Sequence, residues 1–252
     1  MTRAILEVRN VWKRYGKLAA VAGASFTVEE SSIVGLIGPN GAGKTTLLDI
    51  ISGVTRPDEG RIIFYRDGEG IDLTGRPIPE ITRLGVARAF QIPNVFDGLS
   101  VLDNMRAALF ASHRIYYKAT KSYKAYHVID EEARRLLRLV GLSGKEDAPA
   151  GGLSHGERKL LDIAIALASR PRLLLLDEPT AGLSAVEKNT VVDIVRRLNG
   201  EGITILVVEH DLDVVFGVSR KVVAMHEGRV IAEGSPSEVR ENPQLRIAYF
   251  GE

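Results

Sequence analysis

The chain has 252 residues, 45% of them apolar and 26% charged, and its 33 Lys and Arg stand against 32 Asp and Glu for a net charge of +1. That balance excludes a disordered polar tail and argues against a protein that coats nucleic acid through a basic surface. With no cysteine in the chain, disulfide scaffolds, Cys-ligated zinc and iron–sulfur clusters bound by this chain itself are excluded too.

Taken in chain order, the first third reads as strands over residues 5–8, 25–28, Ile33–Ile37 and 61–65, with a helical pattern over 47–52 behind a Gly-rich turn. From 101 to 140 the periodicity is helical with no convincing strand. A stretch rich in bases and aromatics interrupts it: Arg114, Lys118, Lys121 and Lys124 interleave with Tyr116, Tyr117, Tyr123 and Tyr126. Such a stretch suits nucleic acid or lipid headgroups, but a solvated helix surface or a partner contact is the favoured reading. The last third returns to alternation: helix 156–169, strand Leu173–Asp177, helix 185–199, strand 203–209, then a hairpin of 222–226 and 229–232 turned at Glu227-Gly228. Ser235, Pro236 and Glu238 spell a helix start with a capping box. Strand–helix alternation at both ends of the chain implies a mostly parallel sheet, with the central helical block inserted into it. No run approaches the ~18 apolar residues needed to cross a bilayer, and Glu7 and Arg9 interrupt the start. The expectation is a soluble, intracellular chain that meets a membrane through partners.

The residues Gly38, Pro39, Asn40, Gly41, Ala42, Gly43, Lys44 and Thr45 fit the pattern G-x-x-x-x-G-K-S/T between an apolar strand and a helix. Glycines there let successive N–H groups turn inward around phosphate oxygens, and the helix adds its positive end. Lys44 is placed to reach the β- and γ-phosphates, Thr45 to hold Mg²⁺, with Thr46 a neighbouring hydroxyl. The apolar strand Leu173–Asp177 ends in Asp177 and Glu178. The first is a candidate Mg²⁺ ligand and the second a candidate base for water.

Leu153-Ser154-His155-Gly156-Glu157 precedes a helix with an apolar face and lies just before the Asp177 strand. This resembles the signature motif of the ABC ATPases, usually written LSGGQ, and the resemblance extends along essentially the whole chain in motif order and spacing. It implies an α/β fold: a P-loop NTPase of ABC type, with a mostly parallel core sheet, an antiparallel β subdomain and an inserted α-helical subdomain. It divides the single ATP-binding domain, 1–252, into a nucleotide-binding core over 1–95 and 170–252 and a helical subdomain over about 96–169. Within the resemblance, Ser154 and Gly156 meet the γ-phosphate of ATP held by an opposite subunit, Gln91 senses Mg²⁺ and water, and His210 contacts the γ-phosphate. Tyr15 stacks on adenine, with Trp12 the less favoured candidate. His155, Glu157 and Ser184 depart from the family pattern, and Ser154 with Glu157, like Ser184 with Glu187, also spells a helix capping box.

The resemblance further implies ATP and Mg²⁺ as ligands, a second ATP-binding subunit in a homo- or heterodimer, polytopic membrane permease subunits and a solute-binding protein. It implies a peripheral position on the cytoplasmic face of the cell membrane, and the net charge of +1 argues against a nucleic-acid partner. The insertion between Asn104 and Val140, the run from Asp177 to Ser184 and the ending around Tyr249 look most like the ATPases of branched-chain or other hydrophobic amino acid importers. A lipid or lipopolysaccharide exporter and a soluble iron–sulfur assembly ATPase are the alternatives.

Overall fold

In the computed structural model, residues 3–113 and 123–250 are described. The basic and aromatic stretch 114–126 lies outside them, apart from the backbone of its last residues, where a helix begins at Tyr123. The chain opens with two long antiparallel strands, β1 (Ala4–Tyr15) and β2 (Leu18–Glu29). Both outrun the short segments read from the sequence because the pairing shifts register around Asn10. Asn10 has φ 45°, and its N–H is taken by the Ser25 hydroxyl at 2.8 Å. Such a bulge breaks the alternation of apolar and polar residues that marks a strand.

After β3 (Ile33–Ile37) come α1 (Lys44–Ser52), β4 (Glu59–Arg66), β5 (Glu69–Asp72), α2 (Ile78–Leu84) and β6 (Val86–Ala89). The helical block holds α3 (Val101–Ser112), α4 (Tyr123–Leu139) and α5 (His155–Leu167). Then follow β7 (Leu173–Asp177), α6 (Ala185–Gly200), β8 (Thr204–Val208), α7 (Leu212–Val218), β9 (Lys221–His226), β10 (Arg229–Gly234), α8 (Pro236–Glu241) and α9 (Pro243–Phe250). Glu227 and Gly228 turn the β9–β10 hairpin with φ 47° and 78°, the mirror-image turn that suits strand twist.

Among the described residues the strands form two sheets. An antiparallel sheet has the order β2-β1-β4-β5, and a larger sheet has the order β10-β9-β3-β8-β7-β6, parallel from β9 to β6 with β10 antiparallel at its edge. The residues of β7 and β8 show how the parts stack. Leu174, Leu176, Ile205 and Val207 pack with α3–α6, whereas Leu173, Leu175, Leu206 and Val208 pack with α1 and the antiparallel sheet. The larger sheet is therefore covered on both faces, which explains why its strands are continuous apolar runs. Each fully buried leucine of β7 contributes about 1.5–3 kcal/mol. A smaller cluster of Ile37, Val215, Val222, Ala224, Val239 and Leu245 seats the last two helices against β9.

Candidate functional site

Parallel strands end together, and here the carboxyl ends of β3, β7, β8 and β6 converge on one edge of the sheet. The loop from Gly38 leads from β3 into α1, whose amino-terminal cap is Gly43 at φ 97°, with no side chain capping the first turn. A Cβ at Gly43 would stand 2.1 Å from the Ala20 carbonyl, so both conformation and space demand glycine. The uncapped N–H groups of this turn make a ready anion site. The Lys44 side chain curls back over the loop, donating Nζ to the carbonyls of Gly38 at 2.7 Å and Pro39 at 3.1 Å. Burial lowers the Lys44 amine's pKa, opposed by the negative charges of Glu178 and Asp177.

At the end of β7, Asp177 is nearly fully buried and accepts an Arg88 guanidinium N–H at Oδ2, 2.7 Å away. The same guanidinium reaches Asp49 Oδ1 at 2.6 Å and the Ser52 hydroxyl at 3.1 Å, tying β6, α1 and β7 together. Asp177 Oδ1 is buried with no partner. Glu178 follows with φ 47°, a left-handed conformation for a residue with a side chain. Its N–H donates to Val208 at 2.8 Å and its carbonyl accepts Lys159 Nζ at 2.7 Å. This backbone turns the Glu178 carboxylate out of the strand: Oε2 accepts Gln91 Nε2 at 2.8 Å, and Oε1 lies 3.8 Å from His210 Nδ1. Gln91, Glu178 and His210, distant in sequence, thus stand as one cluster beside Asp177 and Lys44.

Two buried acids that sequence reasoning did not single out support this cluster. Asp162 on α5 accepts the backbone N–H of Phe90 at 2.7 Å and of Asn94 at 3.1 Å, and burial pushes its carboxyl up to about 6. Glu209, fully buried, accepts both the N–H and the hydroxyl of Thr180 at 2.7 Å, and burial raises its pKa as well. Arg88, Lys159 and these acids had one available signal, a charge inside an otherwise apolar element. Periodicity treats such a position as an error in the pattern, not as a site.

The model of the family described as ABC transporter matches residues 21–181. A branched-chain amino acid transport ATP-binding protein of Pseudomonas aeruginosa is 36% identical over the whole of both chains. A protein named as a probable one from Archaeoglobus fulgidus is 37% identical over 98% of this chain and 95% of that one. The chain belongs to the ABC transporter family. It is one of that family's ATP-binding cassette ATPases. Among solved structures, an ATP-binding cassette of an ABC transporter in its ADP conformation superposes with a TM-score of 0.85 at 32% identity, over 100% of both chains. A dimeric cassette bound to ADP and Pi, 25% identical, covers 92% of this chain and 98% of that one at a TM-score of 0.76.

In this cassette Ser154 begins α5 with a complete capping box: its hydroxyl accepts the Glu157 N–H at 3.2 Å, and the Glu157 carboxylate accepts the Ser154 N–H at 2.9 Å. Glu157 therefore folds back on its own helix, and its ion pair with Lys145 at 3.2 Å holds it there. Ser184 caps α6 in the same way through Glu187. A Cβ on Gly156 would meet the Glu187 carboxylate at 2.9 Å, so the caps of α5 and α6 lie side by side. A shallow hollow of about 220 Å³ opens there, lined by Ser154, Gly156, Leu183 and Glu187. Among the described residues, Ser154 and Gly156 share no hydrogen bond with the Gly38–Thr45 loop, so the chain does not bring its own signature segment onto its own phosphate loop. Tyr15 projects from the end of β1, half exposed, with Lys13 Nζ 5.5 Å from its ring centre, while Trp12 is covered by the Arg14 guanidinium at 4.7 Å. On the other side of Arg88, a groove of about 610 Å³ runs between α2, α3 and α5, with Phe90 and Ile165 in its wall.

Proposed function

We propose that this cassette powers import of branched-chain or other hydrophobic amino acids, acting as a pair of ATP-binding subunits beneath polytopic permease subunits fed by a solute-binding protein. The observation that carries the substrate class is end-to-end similarity, over 100% of both chains, to a branched-chain amino acid transport ATPase. The Asp177–Glu178–Gln91–His210 cluster carries the chemistry.

In this reading ATP lies with its phosphates in the loop from Gly38 to Gly43, held by backbone N–H groups and Lys44, with Thr46 beside them and adenine against Tyr15. The residues fit Mg²⁺. Thr45, Asp177 and Gln91 offer hard oxygen donors, Asp177 Oδ1 is buried and unpartnered, and among the described residues no cluster of three acids or histidines forms a cage of its own. Mg²⁺ characteristically takes one or two carboxylates together with substrate phosphates. When bound, the ion supplies charge neutralisation of the β- and γ-phosphate oxygens. Glu178 accepts a proton from water as the water oxygen bonds to the γ-phosphorus; the bond to the β–γ bridging oxygen breaks, leaving ADP and phosphate. Gln91 orients Glu178 and the water, and His210 contacts the γ-phosphate. Ser154 and Gly156 close over the nucleotide of a second cassette, so two ATP molecules hold two chains together until hydrolysis releases them.

The helical block, about 96–169, serves as the subdomain that carries the signature segment. The groove beside Phe90 receives the permease. Exposed Ile92 and Phe96, on the loop next to it, are apolar surface for that contact. Co-purification tests the reading: polytopic membrane subunits should come down with the tagged chain, and ATPase activity of the complex should rise with leucine and its solute-binding protein. Capture of soluble proteins alone, or stimulation by lipid instead of amino acid, would replace this function with one of its rivals.

A further inference from the structure

Lys159 and Asp162 lie on α5, three residues apart and thus on one face, yet neither belongs to the motifs that bind nucleotide. Both are nearly fully buried, at 4% and 3% exposure. Lys159 holds the carbonyl of Glu178 at 2.7 Å, and Asp162 holds the N–H groups of Phe90 and Asn94 at 2.7 and 3.1 Å. Phe90 immediately precedes Gln91, so its N–H pins the backbone from which Gln91 reaches Glu178. The Glu178 backbone, left-handed at φ 47°, is held by Val208 on one side and Lys159 on the other. One helix face therefore grips both halves of the Gln91–Glu178 pair. The first turn of that same helix is the Ser154 surface.

We propose that Lys159 and Asp162 are positioning residues that fix Glu178 and Gln91 to a single rigid helix whose amino terminus is the Ser154 surface. Engaging Ser154 and setting the chain's own Gln91–Glu178 pair are then movements of one body. The proposal rests on the reading that Gln91 and Glu178 act on the attacking water. Burial of a carboxylate is costly without partners, and Asp162 spends both of its oxygens on the loop backbone. An amide in its place can accept one N–H and must turn its own N–H₂ toward the other.

The test uses the full chain. Asp162→Asn and Lys159→Met should each lower kcat for ATP hydrolysis about 10–100-fold, the scale of an ångström's misplacement, while KM stays within about twofold. Lys159→Arg, which still donates to the carbonyl, should recover most of the rate. Hydrogen exchange of the peptide over 88–95 should quicken about tenfold in Asp162→Asn and stay unchanged in Lys159→Met. Asn94 is exposed, so Asn94→Pro removes one of the two donated N–H groups without touching the core; it should repeat part of the rate loss even where Asp162→Asn does not fold. A kcat within about twofold of the parent in Asn94→Pro or in a folded Asp162→Asn overturns the proposal. So does a rate loss matched by lost nucleotide binding. Gln91→Ala and Glu178→Gln run alongside: if those two keep full activity, the catalytic reading has failed instead.

Discussion

Removing the Arg88 guanidinium should destabilise this cassette strongly, and its surroundings set the size of the effect. Its guanidinium bridges Asp49 and Asp177 at 2.6 and 2.7 Å, and the Arg88 and Asp177 side chains are 4% and 2% exposed. Arg88→Met keeps the length and the packing against Phe90 but leaves Asp177 buried with both oxygens unpartnered, since Oδ1 has no partner to begin with. Breaking a buried pair from one side costs about 3–5 kcal/mol. For a chain of this size each kcal/mol moves Tm by about 2–4 °C, so the fall should be about 6–20 °C by calorimetry. Two further measurements isolate the cause. Mg–ATP should raise Tm more in Arg88→Met than in the parent, because a cation beside Asp177 replaces the lost charge. Adding Asp177→Asn should recover most of the loss, because no uncompensated charge then stays buried. A fall under about 1 kcal/mol, or strict additivity in the double variant, would refute the claim that the charge left on Asp177 is what destabilises.

Glu178→Gln should bind ATP and lose about 10²–10⁴-fold in turnover, with near-parental steady-state hydrolysis removing Glu178 from its role as base. Ser154→Arg should leave nucleotide binding by the single chain intact and weaken ATP-driven dimerisation, read by light scattering; a variant that dimerises like the parent would remove Ser154 from the interface. Asp162 makes stability depend on pH in a direction opposite to the exposed acids. Its folded pKa of about 6 stands above the ordinary 3.8, because desolvation outweighs the two N–H bonds it accepts. The folded state therefore holds the extra proton between those values, and stability from this group is lost as pH rises through that window. Compared with Asp162→Asn, the parent should lose about 2 kcal/mol of stability between pH 4 and pH 7, measured by urea unfolding, and a pH-independent difference would refute it.

The residues proposed to hold phosphate, Mg²⁺ and water are legible in the sequence because that chemistry requires local patterns: glycines next to Lys44, and an apolar strand ending in Asp177 and Glu178. The hairpin at Glu227-Gly228 and the helix starts at Ser154, Ser184 and Ser235 are legible for the same reason, since a cap is decided within four residues. The helix after the phosphate loop begins three residues before the apolar pattern at Leu47, because its first turn carries the buried Lys44 and the hydroxyls of Thr45 and Thr46 instead of apolar residues. What escaped depends on contacts across long separations. The edge strand β6 has four residues, and the amphipathic helix α2 buries Ile81 alone. Arg88 and Asp162 read as interruptions of apolar segments, and their partners, 89 and 72 residues away, are visible after folding brings them together.

The left-handed backbone of Glu178 sets a limit on how this cassette can be improved. A side chain in that region costs about 1–2 kcal/mol relative to glycine, and the carboxylate depends on the bend to face Gln91 and His210. A library selected for thermal resistance alone should therefore accept Gly or Asn at 178, and every such clone should be hydrolytically silent. Selection for growth should restore the acid and with it the strain. At this position durability and turnover are competing traits, and stabilising substitutions have to be sought elsewhere in the chain.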